Sequence, residues 1–532
     1  MSRAYDLAIL GGGTAGLVAA IGAARLGART VLFERERTGG DCLWSGCVPS
    51  KSLLAAAARA QDARTAGEVG LEPSEPRIDF AVVMAHVHGA RAVIAPHDSP
   101  ERLRGEGVEV VEQAARFTGP GRLEAAGRQV RYVSALIATG SRPLIPPIEG
   151  LDPARALTNE TVWDLGELPR RLAILGGGPI GCELGQAFAR LGSEVTIVER
   201  EPALLPREEP EAGRLLAERL ATEGVNVRTG RRVARVAGNG DGGWIELAGT
   251  DARVAFDRVL VAAGRSPATA GLGLEAVGVE TDPAGAVRVD ERLRTAGRRI
   301  FAAGDVIGGQ FTHLAAYQAG VVVSNALFRT RRRAPTAVPG VVFTDPEIAR
   351  VGLTEAQAST RGGRARRFDH TGLDRAITAG VTDGFAKLVI GPRGRLLGAT
   401  LAGPSSGESI AGLAAVIARD GRVRDVLATV HPYPTFSEAA SRAAGEYLSD
   451  RHLTPPQPPS RARGPGASAG ARAPTVNGHR ARAREPPAGR THRPRQRRSR
   501  GAAVAAAGRG RAADLPAPPR LTALPGAPRR GC

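Results

Sequence analysis

A chain of 532 residues, 42% of them hydrophobic, has material for roughly two to four domains, each with its own core. Its formal charge of +19 first suggests nucleic acid, but from Arg451 onward 18 arginines stand against Glu485 and Asp514, which leaves +3 on residues 1–450. Four cysteines are too few for a secreted disulfide scaffold. The N-terminus has no basic segment leading into a long apolar one, and no apolar run reaches membrane-spanning length, so a cytoplasmic protein without a membrane partner is expected.

Residues 7–10 predict a buried strand, and Gly11-Gly12-Gly13-Thr14-Ala15-Gly16 follows as GxGxxG. An alanine-rich helix to Leu26 and a second strand, Thr30–Phe33, complete a dinucleotide-binding βαβ unit. Gly11 makes the tight turn, Gly13 admits a pyrophosphate to the backbone, and Gly16 lets helix and strand pack closely. Glu34, 23 residues after Gly11, is placed for ribose hydroxyls. The motif alone is weak; bracketed by a strand, a helix and that acid it is strong.

Gly39 to Lys51 contains Cys42 and Cys47. Ser50 to Arg59 reads as a helix, which puts both cysteines in its first turns. There, unpaired backbone N–H groups and the positive helix end stabilise a thiolate. Two thiols so spaced can close a strained, exchangeable disulfide. On a regular helix they would point apart, and Gly46 and Pro49 permit the distortion that brings them together. Taken alone, such cysteines are more often small buried hydrophobes. Zinc needs further ligands, yet the next histidine is His86, and Cys182 and Cys532 are lone. The adjacent nucleotide turn favours redox chemistry.

The whole unit then recurs. Leu172–Leu175 leads into Gly176-Gly177-Gly178-Pro179-Ile180-Gly181, and each matched position is offset by 165 residues, from Gly11 to Gly176 and from Glu34 to Glu199. Such an internal repeat gives one chain two dinucleotide sites. Together with the cysteine pair they suggest a relay, from an exchanging nicotinamide through a tightly bound flavin to a disulfide.

On these residues the chain resembles the class I pyridine nucleotide–disulfide oxidoreductases, which include dihydrolipoamide dehydrogenase, glutathione reductase and mercuric reductase. The likeness spans residues 1 to about 450 and includes both glycine turns, the cysteine box, Ile137 to Pro143, Phe301 to Asp305, Phe343 to Glu347 and His431 to Glu438. It implies an α/β fold with two Rossmann-like domains, for FAD and NAD(P), and a C-terminal α+β dimerisation domain. The implied divisions are 1–150, 151–270, a return to the FAD domain over 271–333, and 334–450. Cys42 would be the interchange thiol and Cys47 the thiolate against the flavin, with Lys51 beside its reactive nitrogen and paired with Glu183. FAD would be held by Gly11, Gly13, Gly16, Glu34, Thr139, Gly140, Gly304 and Asp305. NAD(P) would be held by Gly176, Gly178, Gly181, Glu199 and Gly264. Glu199 favours the free 2′-hydroxyl of NAD(H), while Arg200 beside it softens the preference against NADP(H).

Strands at Val341–Phe343, Lys387–Ile390 and Leu396–Leu401 and helices over 409–419 and 436–449 are expected in the last domain. By resemblance its end supplies an acid/base to the partner subunit of an obligate homodimer. Here the chain departs from disulfide reductases, which carry histidine before the Pro-Thr of this box: the position is Tyr433, with Glu438 retained and His431 two residues earlier. An unperturbed tyrosine is a poor base at neutral pH. Mercuric reductase shares the tyrosine but adds a vicinal cysteine pair that is missing here. The expected function is transfer of electrons among NAD(P)H, FAD and a disulfide or dithiol substrate, as in dihydrolipoamide dehydrogenase. Reduction of thiophilic metal ions and a diaphorase acting on quinones are the alternatives, and no resident metal is expected. Residues 451–532, rich in Arg, Pro, Ala and Gly, read as a disordered basic tail. Without aromatics or a fold it gives only nonspecific attraction to nucleic acid, which is not expected as a partner.

Overall fold

Parallel strands covered on both faces are apolar at every position, and Leu7 to Leu10 are all buried in the strand Tyr5–Leu10. This strand pairs in parallel with Thr30–Phe33 on one side and Arg128–Ile137 on the other. Val108–Val111 extends the sheet beyond Thr30–Phe33. Far along the chain, Ile300–Ala302 returns to pair in parallel with Ala135–Ile137. The computed structural model describes residues 3–238, 242–309 and 311–453. Most of the tail expected from residue 451, including Cys532, lies outside these; residues 451–453 instead continue the helix Glu438–Leu453.

The second glycine turn opens from an equivalent sheet of four parallel strands, ordered Asn226–Arg228, Glu194–Val198, Arg171–Leu175 and Arg258–Val261. An antiparallel sheet of five strands follows, Pro339–Val342, Ile348–Gly352, Leu396–Ala402, Phe385–Ile390 and Arg364–Asp369 in spatial order, with helices Ser406–Ala418 and Glu438–Leu453 packed on it. Two of these strands escape a sequence reading. Arg364–Asp369 is RARRFD, whose polar residues hide a strand stabilised by its neighbour Phe385–Ile390.

One apolar cluster joins three regions: Leu53 and Phe80 from the N-terminal part, Trp163, Leu172 and Phe188 beside the second sheet, and Val342 and Phe385 from the antiparallel sheet. A buried ionic knot reinforces the last junction. The Lys387 ammonium, 3% exposed, lies 3.2 Å from Glu209, 2.6 Å from Glu211 and 2.6 Å from Glu355. Because Glu209 is itself 1% exposed, removing the cation strands a carboxylate in the interior. Lys387→Met should therefore cost about 3–5 kcal/mol, read as a lowered denaturation midpoint. An unchanged midpoint would show that the knot is solvated.

Candidate active site

The two glycine turns repeat down to single contacts. Gly11 has φ +104° and Gly176 +115°, and a Cβ on either would strike a carbonyl oxygen 2.4 Å away, that of Ala138 or Ala262. A Cβ at Gly16 or Gly181 would lie 1.9 or 2.0 Å from the carbonyl oxygen of Gly11 or Gly176, so helix and strand touch through glycine. The middle glycines differ in kind: a Cβ at Gly13 meets only the Gly40 Cα at 3.9 Å, and one at Gly178 meets nothing within 4 Å. Open space over a helix N-terminus suits a pyrophosphate. In each turn the following acid is fixed the same way. Glu34 Oε2 accepts the Gly12 N–H at 2.6 Å, and Glu199 Oε2 accepts that of Gly177 at 2.6 Å. A cleft of about 440 Å³ beside Glu34 is lined by Thr38 and Trp44 and by Ala92, Pro96, Ser99 and Glu112.

The remaining expected FAD residues converge. The Thr139 hydroxyl donates to the Ala268 carbonyl at 2.7 Å, and Gly140 (φ +71°) turns the chain into Ser141. The Ser141 hydroxyl donates to Asp305 Oδ2 at 2.8 Å. Arg265 donates to the Ser141 oxygens and lies 3.4 Å from Asp41 and 3.8 Å from Asp305. Burial pushes the Asp305 carboxyl up despite Ser141 and Arg265. Gly304 (φ +80°) donates its N–H to Gln318 Oε1 at 2.8 Å, and Gly264 (φ +140°) accepts the Leu144 N–H at 3.0 Å.

The cysteines do not share one helix, contrary to the sequence expectation. Gly39 and Gly40 adopt φ +100° and +58°, starting a separate short helix, Gly40–Trp44, that carries Cys42. Ser45 and Gly46 break it, and Cys47 begins the next helix, Cys47–Thr65. Both are free thiols, the reduced form of such a pair. Cys47 Sγ lies 3.2 Å from the hydroxyl of Thr312, the first residue of the helix Thr312–Phe328. Two long helices thus present their positive ends to one sulfur. Hydrogen bonding from Cys42, then Thr312 and the Lys51 charge, outweigh burial and lower the Cys47 thiol to about 6. The same bond to Cys47, with burial, pushes Cys42 up, so the pair has one thiolate and one thiol.

Lys51 and Glu183 meet as expected, Nζ to Oε2 at 2.8 Å. Glu183 Oε1 also accepts the Phe343 N–H at 2.9 Å, and Lys51 Nζ sits 4.1 Å from the Phe343 ring centroid. The C-terminal box stands apart: among the described residues no hydrogen bond or ion pair joins His431, Tyr433 or Glu438 to the cysteines. The hydroxyl of Tyr433, a residue 67% exposed, donates to Asp374 Oδ2 at 2.8 Å, and that bond raises its pKa above the ordinary value. Tyr433 is therefore a phenol, not a base. Glu438 Oε1 accepts from Arg442 at 2.9 Å, while its Oε2 and His431 Nε2 are sealed from solvent without a hydrogen-bond partner among the described residues. Thr312, Asp374 and Arg265 stand in no motif, so sequence reasoning missed them; only long-range contacts reveal them.

Residues 5–320 match the family model described as pyridine nucleotide-disulphide oxidoreductase, and residues 338–444 match its dimerisation domain. A mercuric reductase of Streptomyces lividans is 39% identical over 459 residues, 84% of this chain and 97% of the relative. A dihydrolipoyl dehydrogenase of Thermus scotoductus is 36% identical over 462 residues, 83% and 97%. Among solved structures, LpdA from Mycobacterium tuberculosis superposes with TM-score 0.76 at 28% identity, over 83% of this chain and 99% of that one. The HOCl-induced flavoprotein disulfide reductase RclA from Escherichia coli gives 0.73 at 29%, over 83% and 99%.

Thiolate absorbance of the reduced protein should rise with pH through about 6, the Cys47 value. Thr312→Val removes a donor to the thiolate and should move that rise upward by about one unit. A midpoint that stays put would mean the hydroxyl does not stabilise the sulfur.

Proposed function

The chain belongs to the pyridine nucleotide-disulphide oxidoreductase family, as an FAD-dependent enzyme that uses NAD(P)H, and from that premise we propose that Cys42 and Cys47 form its exchanging redox pair. FAD held by the first turn would supply the hydride-accepting chemistry that links NAD(P)H to the sulfur pair. The carrying observation is Cys47 Sγ at the head of two helices, 3.2 Å from Thr312. Cys47, the lower-pKa sulfur, holds the thiolate, and Cys42 attacks the acceptor disulfide once deprotonated. Cleavage of that disulfide yields a mixed disulfide with Cys42 and one released thiol; Cys47 then attacks Cys42, closing the internal disulfide and releasing the second thiol. Lys51, held by Glu183, keeps positive charge beside the site as electrons arrive.

The glycine turns with Glu34, Thr139, Gly140, Gly304 and Asp305 would hold FAD, and the second turn with Glu199 and Gly264 the nicotinamide. NADH is the better donor in this reading. Glu199 is buried beside its turn, and Arg200, the cation a 2′-phosphate would need, pairs with Glu201 at 3.1 Å. The proposed domains run 1–150, 151–270, 271–333 and 334–450. Within a homodimer, the exposed Tyr433 and its neighbours would complete the partner's site, and the protein would work in the cytoplasm.

Dihydrolipoamide-type exchange is the leading activity. A second reading, reduction of thiophilic metal ions, draws support from Tyr433, which supplies no base. Reduced anaerobically with NADH, the enzyme should be reoxidised by lipoamide; reoxidation by thiol-complexed Hg(II) alone would favour the metal reading. Cys47→Ser should keep NADH-driven flavin reduction yet lose roughly three orders of magnitude in disulfide turnover. Retained disulfide turnover would remove the cysteine relay. In kcat/KM, NADH should exceed NADPH, and Glu199→Ala should narrow that gap; NADPH preference in the parent would refute the assignment of Glu199.

A further inference from the structure

The strands Tyr5–Leu10, Arg128–Ile137 and Ile300–Ala302 run parallel, and each ends at a loop expected to hold FAD: Gly11, Thr139 and Gly304-Asp305. At the opposite edge, where Ile300–Ala302 begins, lies a separate cavity of about 650 Å³. Val289, Ile300 and Phe301 line it together with Arg288, Arg294, Arg298 and Arg299, and Asp290 is the one acid among its described lining residues. Asp290 is committed to Arg294 at 2.6 Å. The side chains of Arg288 and Arg298 are exposed and have no ion-pair or hydrogen-bond partner among the described residues. Arg299 is held in place from behind, donating to Ser134 Oγ at 3.2 Å and to the Ala326 carbonyl at 3.4 Å. Its φ of +60° and that of Leu293, +64°, put two non-glycine residues of this short loop in the left-handed region.

The charge is concentrated. Residues 288–299 hold five arginines against Asp290 and Glu291, and residues 329–333 add four more. The Asn325 side chain ties the two segments together, donating to the carbonyls of Arg292 (3.2 Å) and Arg332 (2.9 Å). Their combined +7 exceeds the +3 of all residues 1–450, so the rest of that body is net acidic. Like charges gathered in and beside one cavity repel, and an anion relieves them. Arg292 Nε, buried in the same loop, has no hydrogen-bond acceptor among the described residues and lies 4.0 Å from Glu291.

We propose that this cavity binds an oligophosphate group, free or as the phosphate chain of a nucleotide, at a place distinct from both dinucleotide turns. Guanidinium groups match phosphate oxygens with paired, charge-assisted hydrogen bonds, and several in one cavity suit a chain of phosphates rather than a single anion. The apolar lining residues would accommodate a base when one is attached.

The test uses the full chain loaded with FAD and hydrogen–deuterium exchange read peptide by peptide, so that the arginine-rich C-terminus reports separately. Inorganic tripolyphosphate, ATP and sulfate are compared at equal ionic strength. Saturable protection of residues 288–301 by tripolyphosphate and ATP alike is expected, sulfate giving none. Protection by ATP alone also supports the site and shows that the base is seated. The double variant Arg288→Ser/Arg298→Ser should weaken protection by about tenfold or more while NADH-driven flavin reduction stays unchanged. Protection confined to C-terminal peptides, equal protection by sulfate, or protection indifferent to the double variant would each overturn the proposal.

Discussion

The Lys51–Glu183 ion pair ties together everything the site needs. Lys51 lies one turn after Cys47, Glu183 lies one turn into the helix that follows the second glycine turn, and the same carboxylate accepts the Phe343 N–H. Glu183 is nearly buried, with 8% of its side chain exposed, so each oxygen has to find a donor. It can do so only when three chain segments, separated by more than a hundred residues each, are in register. The pair is thus a checkpoint on assembly as well as an electrostatic element. Lys51 also covers the Phe343 ring, so displacing any one segment exposes the other two.

Local features of the site were legible because local rules govern them. Gly11, Gly16, Gly176 and Gly181 are needed where backbone atoms would collide with any Cβ, and the βαβ spacing announces them. The two acids after the turns follow from the same repeat, and the Lys51–Glu183 pairing from the family resemblance. What stayed hidden depends on tertiary contact. Thr312 reaches Cys47 across 265 positions of sequence, and Tyr433 meets Asp374 across 59. Neither threonine nor aspartate is distinctive enough to declare itself.

Two misreadings have physical causes. A helix read from Ser50 to Arg59 takes the cysteines into one element, whereas Gly39 and Gly40 start a short helix for Cys42 and Ser45 and Gly46 end it, so that only Cys47 heads the long helix. The thiols differ in proton affinity partly for that reason. The strand Arg364–Asp369 looks like a charged loop because Arg366 points to Glu446 and Asp450 on the packed helix rather than into an apolar layer. Ion pairs there do what apolar alternation does elsewhere.

The near-identity of the two glycine turns has a kinetic consequence. Beside the first, Gly40 approaches Gly13, and the Gly39 N–H bonds the Gly12 carbonyl at 2.9 Å, so the cysteine-bearing segment runs along one side of that turn. Among the described residues, nothing comes within 4 Å of a Cβ placed on Gly178. The two turns share their phosphate-holding geometry and differ in what crosses them, so on that difference the first copy would retain its ligand and the second would exchange it.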